Sequence, residues 1–270
     1  MPAEGASTLA HVINEVVEGL VAVGVPREMA EACRALTPDA QGVLVYGSRA
    51  RGDAVEGSDL DLLALVAGAR PSDNIGDVNI SHYTLDQLST GVGTLFGAHL
   101  KRDARIVWDP TGNLYSAVAN LGDVDTDRLL GRAKRMSELF TSPERDLPKY
   151  LEGLLREARY LLRSCLYAQA IADGSPCFSV RQLATRHQDK PLAQLLASRQ
   201  PGDPSMDDLN ECLTRLRRII GEFPVSQHGS LEAAIVNEWD RPGDLRSMAF
   251  MALGVTGQGS DYAEIERILL

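Results

Sequence analysis

The chain has 270 residues, enough for one large or two modest domains with real cores. Its hydrophobic content of 44% and charged content of 24% are ordinary for a globular protein. The formal charge is −10, with 8 Lys/Arg against 15 Asp/Glu in residues 1–120 and 19 against 22 in residues 121–270, so neither half is basic and a polynucleotide substrate is disfavoured.

Residues 1–6 read as disordered. Ser7 or Thr8 caps a helix to about Val23, with Leu9, Val12, Ile13, Val16, Val17 and Leu20 on one face. Pro26 opens a second helix, 26–36, that ends at Thr37-Pro38. The rest of the chain is organised around residues 42–66, GVLVYGSRARGDAVEGSDLDLLALV. An apolar run, Val43 to Val45, stops at Gly47-Ser48, and a polar loop leads to a second strand at Ser58-Asp59-Leu60-Asp61. Strand alternation turns Asp59 and Asp61 to one side and Leu60 and Leu62 to the core. Two carboxylates about 7 Å apart on one strand face repel each other, and a positive ion between them relieves that. All-oxygen ligands suit Mg²⁺ or Mn²⁺, above all when the metal also holds substrate phosphates. Gly47 lets the backbone approach an anion, and turn N–H groups with the Ser48 hydroxyl can donate to phosphate oxygens.

The pattern Gly47-Ser48, ten intervening residues, Asp59-x-Asp61 resembles the signature of the nucleotidyltransferase superfamily, whose best-known fold is that of DNA polymerase β. The wording GSRARGDA…SDLDLL is most similar to the small bacterial branch, with its minimal, aminoglycoside and lincosamide nucleotidyltransferases. The motif spans about 20 of 270 residues. Between the aspartates and the Gly-Ser turn lie Arg49, Arg51 and Asp53. The arginines either form forked hydrogen bonds to a triphosphate or are solvated, or one of them pairs with Asp53.

Residues 67–76 form a turn-rich connection, and Asp77 to Tyr83 read as a third strand with Val78 and Ile80 inward. Thr84 and Gln87 have capping-box spacing. The resembling enzymes carry a third carboxylate on this strand, and the position aligned with it is Asn79. An asparagine is a poorer metal ligand and no general base near neutral pH. Either Asp77, one pleat earlier on the same face, fills the role, or a carboxylate elsewhere does, or the protein is a weakened or inactive member. Residues 85–97 form a helix ending at Gly97, and Ala104, Ile106 and Trp108 mark a fourth strand. In the strand's charged lead-in, Lys101 or Arg102 either neutralises phosphate or is a solvated strand end.

Beyond about residue 122 the pattern is helical. Residues 126–140 are amphipathic, and 145–172 form the strongest helix, with a core stripe from Leu151 to Leu166 and a charged stripe of Glu152, Arg156, Arg159 and Arg163. That stripe reads either as a solvated, salt-bridged face or as a wall of the reaction cleft. Two weaker helices follow at 179–187 and 190–198, then helices at 206–222, 230–239 and 243–253, and a last short one at 260–269.

The expected fold is therefore α+β: a nucleotidyltransferase-type mixed sheet flanked by helices over residues 1–122, then an all-α helical bundle over 123–270, with the cleft between them. The four cysteines have no metal-ligand spacing and read as reduced thiols, the usage of a cytoplasmic protein. No apolar run reaches membrane-helix length, and no signal peptide opens the chain. The resemblance implies transfer of a nucleoside monophosphate, AMP from ATP or another NTP, to a hydroxyl of a small molecule such as an aminoglycoside, with release of pyrophosphate. Asp59 and Asp61 would ligate the metal and act with Asp77 in catalysis. Gly47, Ser48, Arg49, Arg51 and Lys101 would bind the nucleotide. Two other classes stay open: an antitoxin-like enzyme that attaches nucleotide to a partner toxin, and a non-catalytic nucleotide-binding protein that lost the third carboxylate. The acceptor, the nucleobase and the oligomeric state, a homodimer included, are not specified by the sequence.

Overall fold

The computed structural model describes residues 3–35, 39–141, 146–197, 202–238 and 243–254. The stop expected at Thr37-Pro38 and the helix expected at 260–269 lie outside them. The chain divides into two compact units, Met1–Asp123 and Val124–Leu270.

The first unit opens with α1 (Ala3–Ala22) and α2 (Arg27–Ala32). Helix α1 already includes Ala3 to Ala6, so the disorder expected there is corrected, and Ser7 and Thr8 lie inside the helix rather than capping it. Ala and Glu are strong helix formers and extend it past the capping signal. Next come β1 (Gly42–Tyr46), α3 (Gly47–Arg51), β2 (Leu60–Leu65), β3 (Asp73–Ile75) and β4 (Val78–Tyr83). The unit continues with α4 (Leu85–Ser89), α5 (Leu95–Asp103), β5 (Arg105–Trp108) and α6 (Asn113–Ala119). The five strands form one mixed sheet in the order β3-β4-β2-β1-β5. Only the β2–β4 pairing is parallel.

The period of two sorts each strand between two faces. Val43, Val45, Leu60, Leu62, Ala64, Val78 and Ile80 point to one face, where Val16, Val17, Leu20 and Ala30 of α1 and α2 complete the core. Each such valine, leucine or isoleucine contributes roughly 1.5–3 kcal/mol of burial. Asp61, Leu63, Asn79 and Tyr83 therefore belong to the opposite face. There Phe96 of α5 lies 5.8 Å from the Tyr83 ring and meets Tyr46 edge-on at 5.7 Å. Helix α1 also runs against β5. A Cβ on Gly19 would fall 2.5 Å from the Val107 carbonyl oxygen, and Trp108 Nε1 donates to Glu15 at 3.1 Å.

Further expectations for this unit change. Residues 73–75, read as part of a turn-rich connection, form the exposed edge strand β3. The single helix expected at 85–97 is two helices, and Gly97 does not end one. It lies in the first turn of α5, where its N–H donates to the N-cap Thr94 hydroxyl at 2.9 Å. A Cβ there would overlap the Gly91 carbonyl, so the glycine is needed for close approach rather than for a stop. Lys101 and Arg102 consequently sit in the last turn of α5, not in a strand lead-in. The capping box is as expected: the Thr84 hydroxyl accepts from Gln87 N at 3.2 Å, and the Gln87 side chain accepts from Thr84 N at 3.0 Å. Such caps contribute ~1 kcal/mol.

The second unit consists of helices joined by loops, with no strand among its described residues. Its helices are α7 (Thr126–Met136), α8 (Asp146–Lys149), α9 (Leu151–Ala172), α10 (Val180–Arg186), α11 (Lys190–Leu195), α12 (Met206–Ile220), α13 (Leu231–Asn237) and α14 (Asp244–Ala252). The long helix expected from 145 breaks at Tyr150, and α9 carries the core stripe: Leu154, Leu155, Ala158, Leu161, Leu162, Cys165 and Leu166 are all buried. The charged stripe of α9 is tied to neighbours within the unit. Arg156 donates to the Met251 carbonyl, Arg159 pairs with Asp208 at 3.2 Å, and Arg163 donates to the Leu196 carbonyl at 2.9 Å. Glu157 is fully buried beside Arg156, whose Nε donates to its Oε1 at 3.0 Å. A Cβ on Gly153 would overlap the backbone of Ala252, so α9 and α14 cross at backbone contact.

Candidate active site

The site is assembled where β1 ends and β2 begins. Tyr46 is the antiparallel partner of Asp61 on one side, and Asn79 is its parallel partner on the other. The register therefore brings together a carboxylate, an amide and an aromatic ring on the face away from the α1–α2 core. Asn79 Nδ2 donates to Asp61 Oδ1 at 3.2 Å. Burial raises the Asp61 pKa above its ordinary value. The Asn79 hydrogen bond opposes that, the Asp59 charge adds to it, and Arg51 and Arg49 pull it back. Asp59 precedes the strand by one residue and is half-buried.

The expected glycine turn is the start of the short helix α3. Gly47 is required there twice. Its φ of +73° is in the left-handed region, and a Cβ would fall 2.6 Å from Asp61 Oδ2. The carboxylate fills the space that the missing side chain leaves. Gly47→Ala should thus cost roughly 1–2 kcal/mol for the backbone conformation, plus the overlap with Asp61. Denaturant melts of Gly47→Ala in the wild-type and Asp61→Ala backgrounds check this: the cost should be smaller in the second. Equal costs would mean that the carboxylate does not press on Gly47. Ser48 follows, half-buried.

Arg49 and Arg51 sit on α3 rather than on a loop. Arg49 donates to the carbonyls of Ser58 (2.5 Å) and Asp59 (3.1 Å), stapling the start of β2 to α3. Arg51 is tied to Asp53 at 3.2 Å and donates to His99 Nε2 at 3.0 Å. Arg105 donates to the Ala50 carbonyl at 2.7 Å, which fixes the other side of α3. Lys101 is exposed on the last turn of α5.

Asp77 is displaced from its expected position on the strand. It lies with Gly76 in the turn between β3 and β4, exposed, and its carbonyl accepts from Leu60 N at 2.7 Å. The strand ladder begins one residue later, at Val78. Tyr46 and His99 were missed as site residues. Ending a helix at Gly97 hid the i,i+4 relation of His99 to Asp103, which is visible once α5 is continuous.

Among the described residues, no group of three or more His, Cys, Asp or Glu is arranged to hold a metal ion. Asp59 and Asp61 nevertheless offer only carboxylate oxygens, and the desolvation of Asp61 favours a compensating cation. Such a set fits Mg²⁺, which keeps waters and takes the rest of its ligands from substrate phosphates.

Residues 26–106 match the sequence model of a family described as the nucleotidyltransferase domain. The match runs from the residue before α2 into β5 and includes every site residue named above. No curated protein matches the chain. No described helix is long and apolar enough to cross a membrane.

Proposed function

From a nucleotidyltransferase domain at residues 26–106, we propose that the chain transfers a nucleoside monophosphate from an NTP, ATP foremost, to a hydroxyl of a small molecule, with release of pyrophosphate. The observation that carries this reading is the half-buried Asp61 held in register between Tyr46 and Asn79, with its carboxylate against Gly47. Asp59 and Asp61 would hold a divalent cation, which supplies charge screening to the transferring phosphoryl group. Gly47 and Ser48 would orient the triphosphate, and Arg51 would add positive charge beside it. The negative charge of the whole chain favours a cationic acceptor, an aminoglycoside being one such class.

Asn79 favours a second reading, an attenuated or non-catalytic member of the same domain class. Its position opposite Asp61 lacks a general base, and Asp77 is the first candidate for that role. Asn79→Asp separates the two. We expect it to tighten Mg²⁺ binding and to raise turnover about tenfold, because it adds a charged ligand and a base. If Asp77 already serves, Asn79→Asp should bring little gain and Asp77→Ala should stop turnover.

The direct test is a pyrophosphate-release screen with the four ribonucleoside triphosphates, Mg²⁺ or Mn²⁺, and a panel of hydroxylated acceptors rich in aminoglycosides. Titration calorimetry with the same triphosphates stands beside it. Triphosphate binding without release in any combination favours the non-catalytic reading. No binding of any triphosphate rejects both.

A further inference from the structure

The proposed nucleotide site contains one group that no motif announces. His99 lies on the same side of the sheet as Asp61, with its ring edge-on to Tyr46 at 6.1 Å between centroids. Tyr46 is itself the register partner of Asp61. On its other side His99 Nε2 is 3.0 Å from Arg51 Nη1 and 3.6 Å from Asp103 Oδ2. Arg51 reaches Asp53 through Nη2 at 3.2 Å, and its Nη1 is 3.9 Å from Asp103. An arginine has five N–H groups in a rigid fork, and these contacts leave donors on both terminal nitrogens for an incoming anion. The Arg51 charge acts on Asp61 across the site.

A guanidinium can donate to an imidazole only when the imidazole is neutral. Burial, followed by the charges of Arg51 and Arg102, pushes His99 down to about 3, and the Asp53 charge only partly opposes this. The ring is therefore an uncharged acceptor throughout the physiological range, locked in one tautomer by the arginine that it accepts from. A neutral acceptor suits this place better than a third carboxylate. It fixes the direction of Arg51 without cancelling the positive charge that a triphosphate needs.

We propose that His99 is a positioning residue of the nucleotide site, which holds the Arg51 guanidinium toward the phosphates of a bound nucleoside triphosphate. The proposal rests on the nucleotidyltransferase reading and specifies how the triphosphate end of that site is built. His99 itself touches no substrate. Its effect travels through Arg51.

The test is acceptor-independent. Titration calorimetry with the Mg²⁺ complexes of the four ribonucleoside triphosphates identifies the best binder. The corresponding diphosphate, monophosphate and nucleoside are then compared on wild type, His99→Leu, His99→Gln and Arg51→Leu. His99→Leu should weaken triphosphate binding about tenfold, the size of one lost hydrogen bond. The loss should shrink with each phosphate removed and vanish for the nucleoside. His99→Gln, which puts an amide oxygen near the place of Nε2, should restore most of the affinity. In the Arg51→Leu background, His99→Leu should have no further effect on the triphosphate. A merely structural role would lower stability and affect every ligand alike. The proposal is overturned by unchanged triphosphate affinity in His99→Leu, by equal losses in His99→Leu and His99→Gln, or by losses independent of phosphate number. Absence of any triphosphate binding by the wild type would instead remove the nucleotidyltransferase reading, and the proposal with it.

Discussion

Asp61→Asn should abolish nucleotide transfer, lowering turnover about a thousandfold or more, because a divalent cation beside a triphosphate loses a charged ligand. Asp59→Asn should act nearly as strongly. The effect on folding should have the opposite sign. Asp61 is half-buried, and desolvation together with Asp59 disfavours its charge there by more than the Asn79 hydrogen bond and the Arg51 and Arg49 charges restore. An asparagine keeps an oxygen for that bond and carries no charge. In chelator, the variant should therefore unfold at the same denaturant concentration as wild type or a higher one. With Mg²⁺ and triphosphate added, wild type should gain stability through binding and the variant should gain much less. Full turnover by Asp61→Asn with an acceptor found in the screen would place the metal elsewhere and end the reading built on residues 42–66.

Glu157→Gln should stabilise the helical unit by up to about 3 kcal/mol at pH 8 and by nothing near pH 4. Glu157 has no solvent exposure, and burial raises its pKa from 4.5 to about 7 despite the charge and hydrogen bond of Arg156. A folded pKa above the unfolded value means that the folded chain holds the proton more tightly. The stabilisation from that proton is complete below about 4.5 and is lost as pH rises through 7. Glutamine has no proton to lose and keeps an oxygen for Arg156 Nε. Urea melts of both proteins at pH 4, 6 and 8 should give curves that diverge as pH rises. Parallel curves would mean that Glu157 is solvated when charged, and that α9 and α14 part more easily than their contact at Gly153 suggests.

The residues that made the first unit legible are those whose pattern reflects one strong force. Val43 to Val45 and the apolar residues of Leu60–Leu65 had to be buried. Thr84 and Gln87 announced a cap because that motif is local. What was not legible depended on partners distant in sequence. The edge strand β3 has the sequence Asp73-Asn74-Ile75, which shows no apolar alternation, and forms because β4 offers it an edge. Gly97 looked like a helix stop, although its role is to let Gly91 come close. For Arg49 the sequence left phosphate binding, solvation and pairing with Asp53 open, and its contacts in the fold are to the Ser58 and Asp59 carbonyls. The placement of Asp77 turned on one residue of strand length, which periodicity cannot fix. His99 gains its meaning only from Arg51, 48 residues earlier.

The two rims of the sheet bear on how copies of this chain could assemble. A strand-swapped or continuous-sheet dimer needs a rim with a regular row of open peptide groups. On one side that rim is β3, three residues long, with the polar Asp73 and Asn74 exposed. On the other it is β5, whose ladder to β1 shifts register between Val43 and Leu44 and whose Val107 carbonyl lies under Gly19 of α1. A short polar rim and a covered, irregular one both discourage strand addition, the first by charge and length and the second by steric exclusion. Self-association of this protein through a continuous sheet is therefore disfavoured at both rims. Its nucleation into sheet-type aggregates should require α1 to detach first.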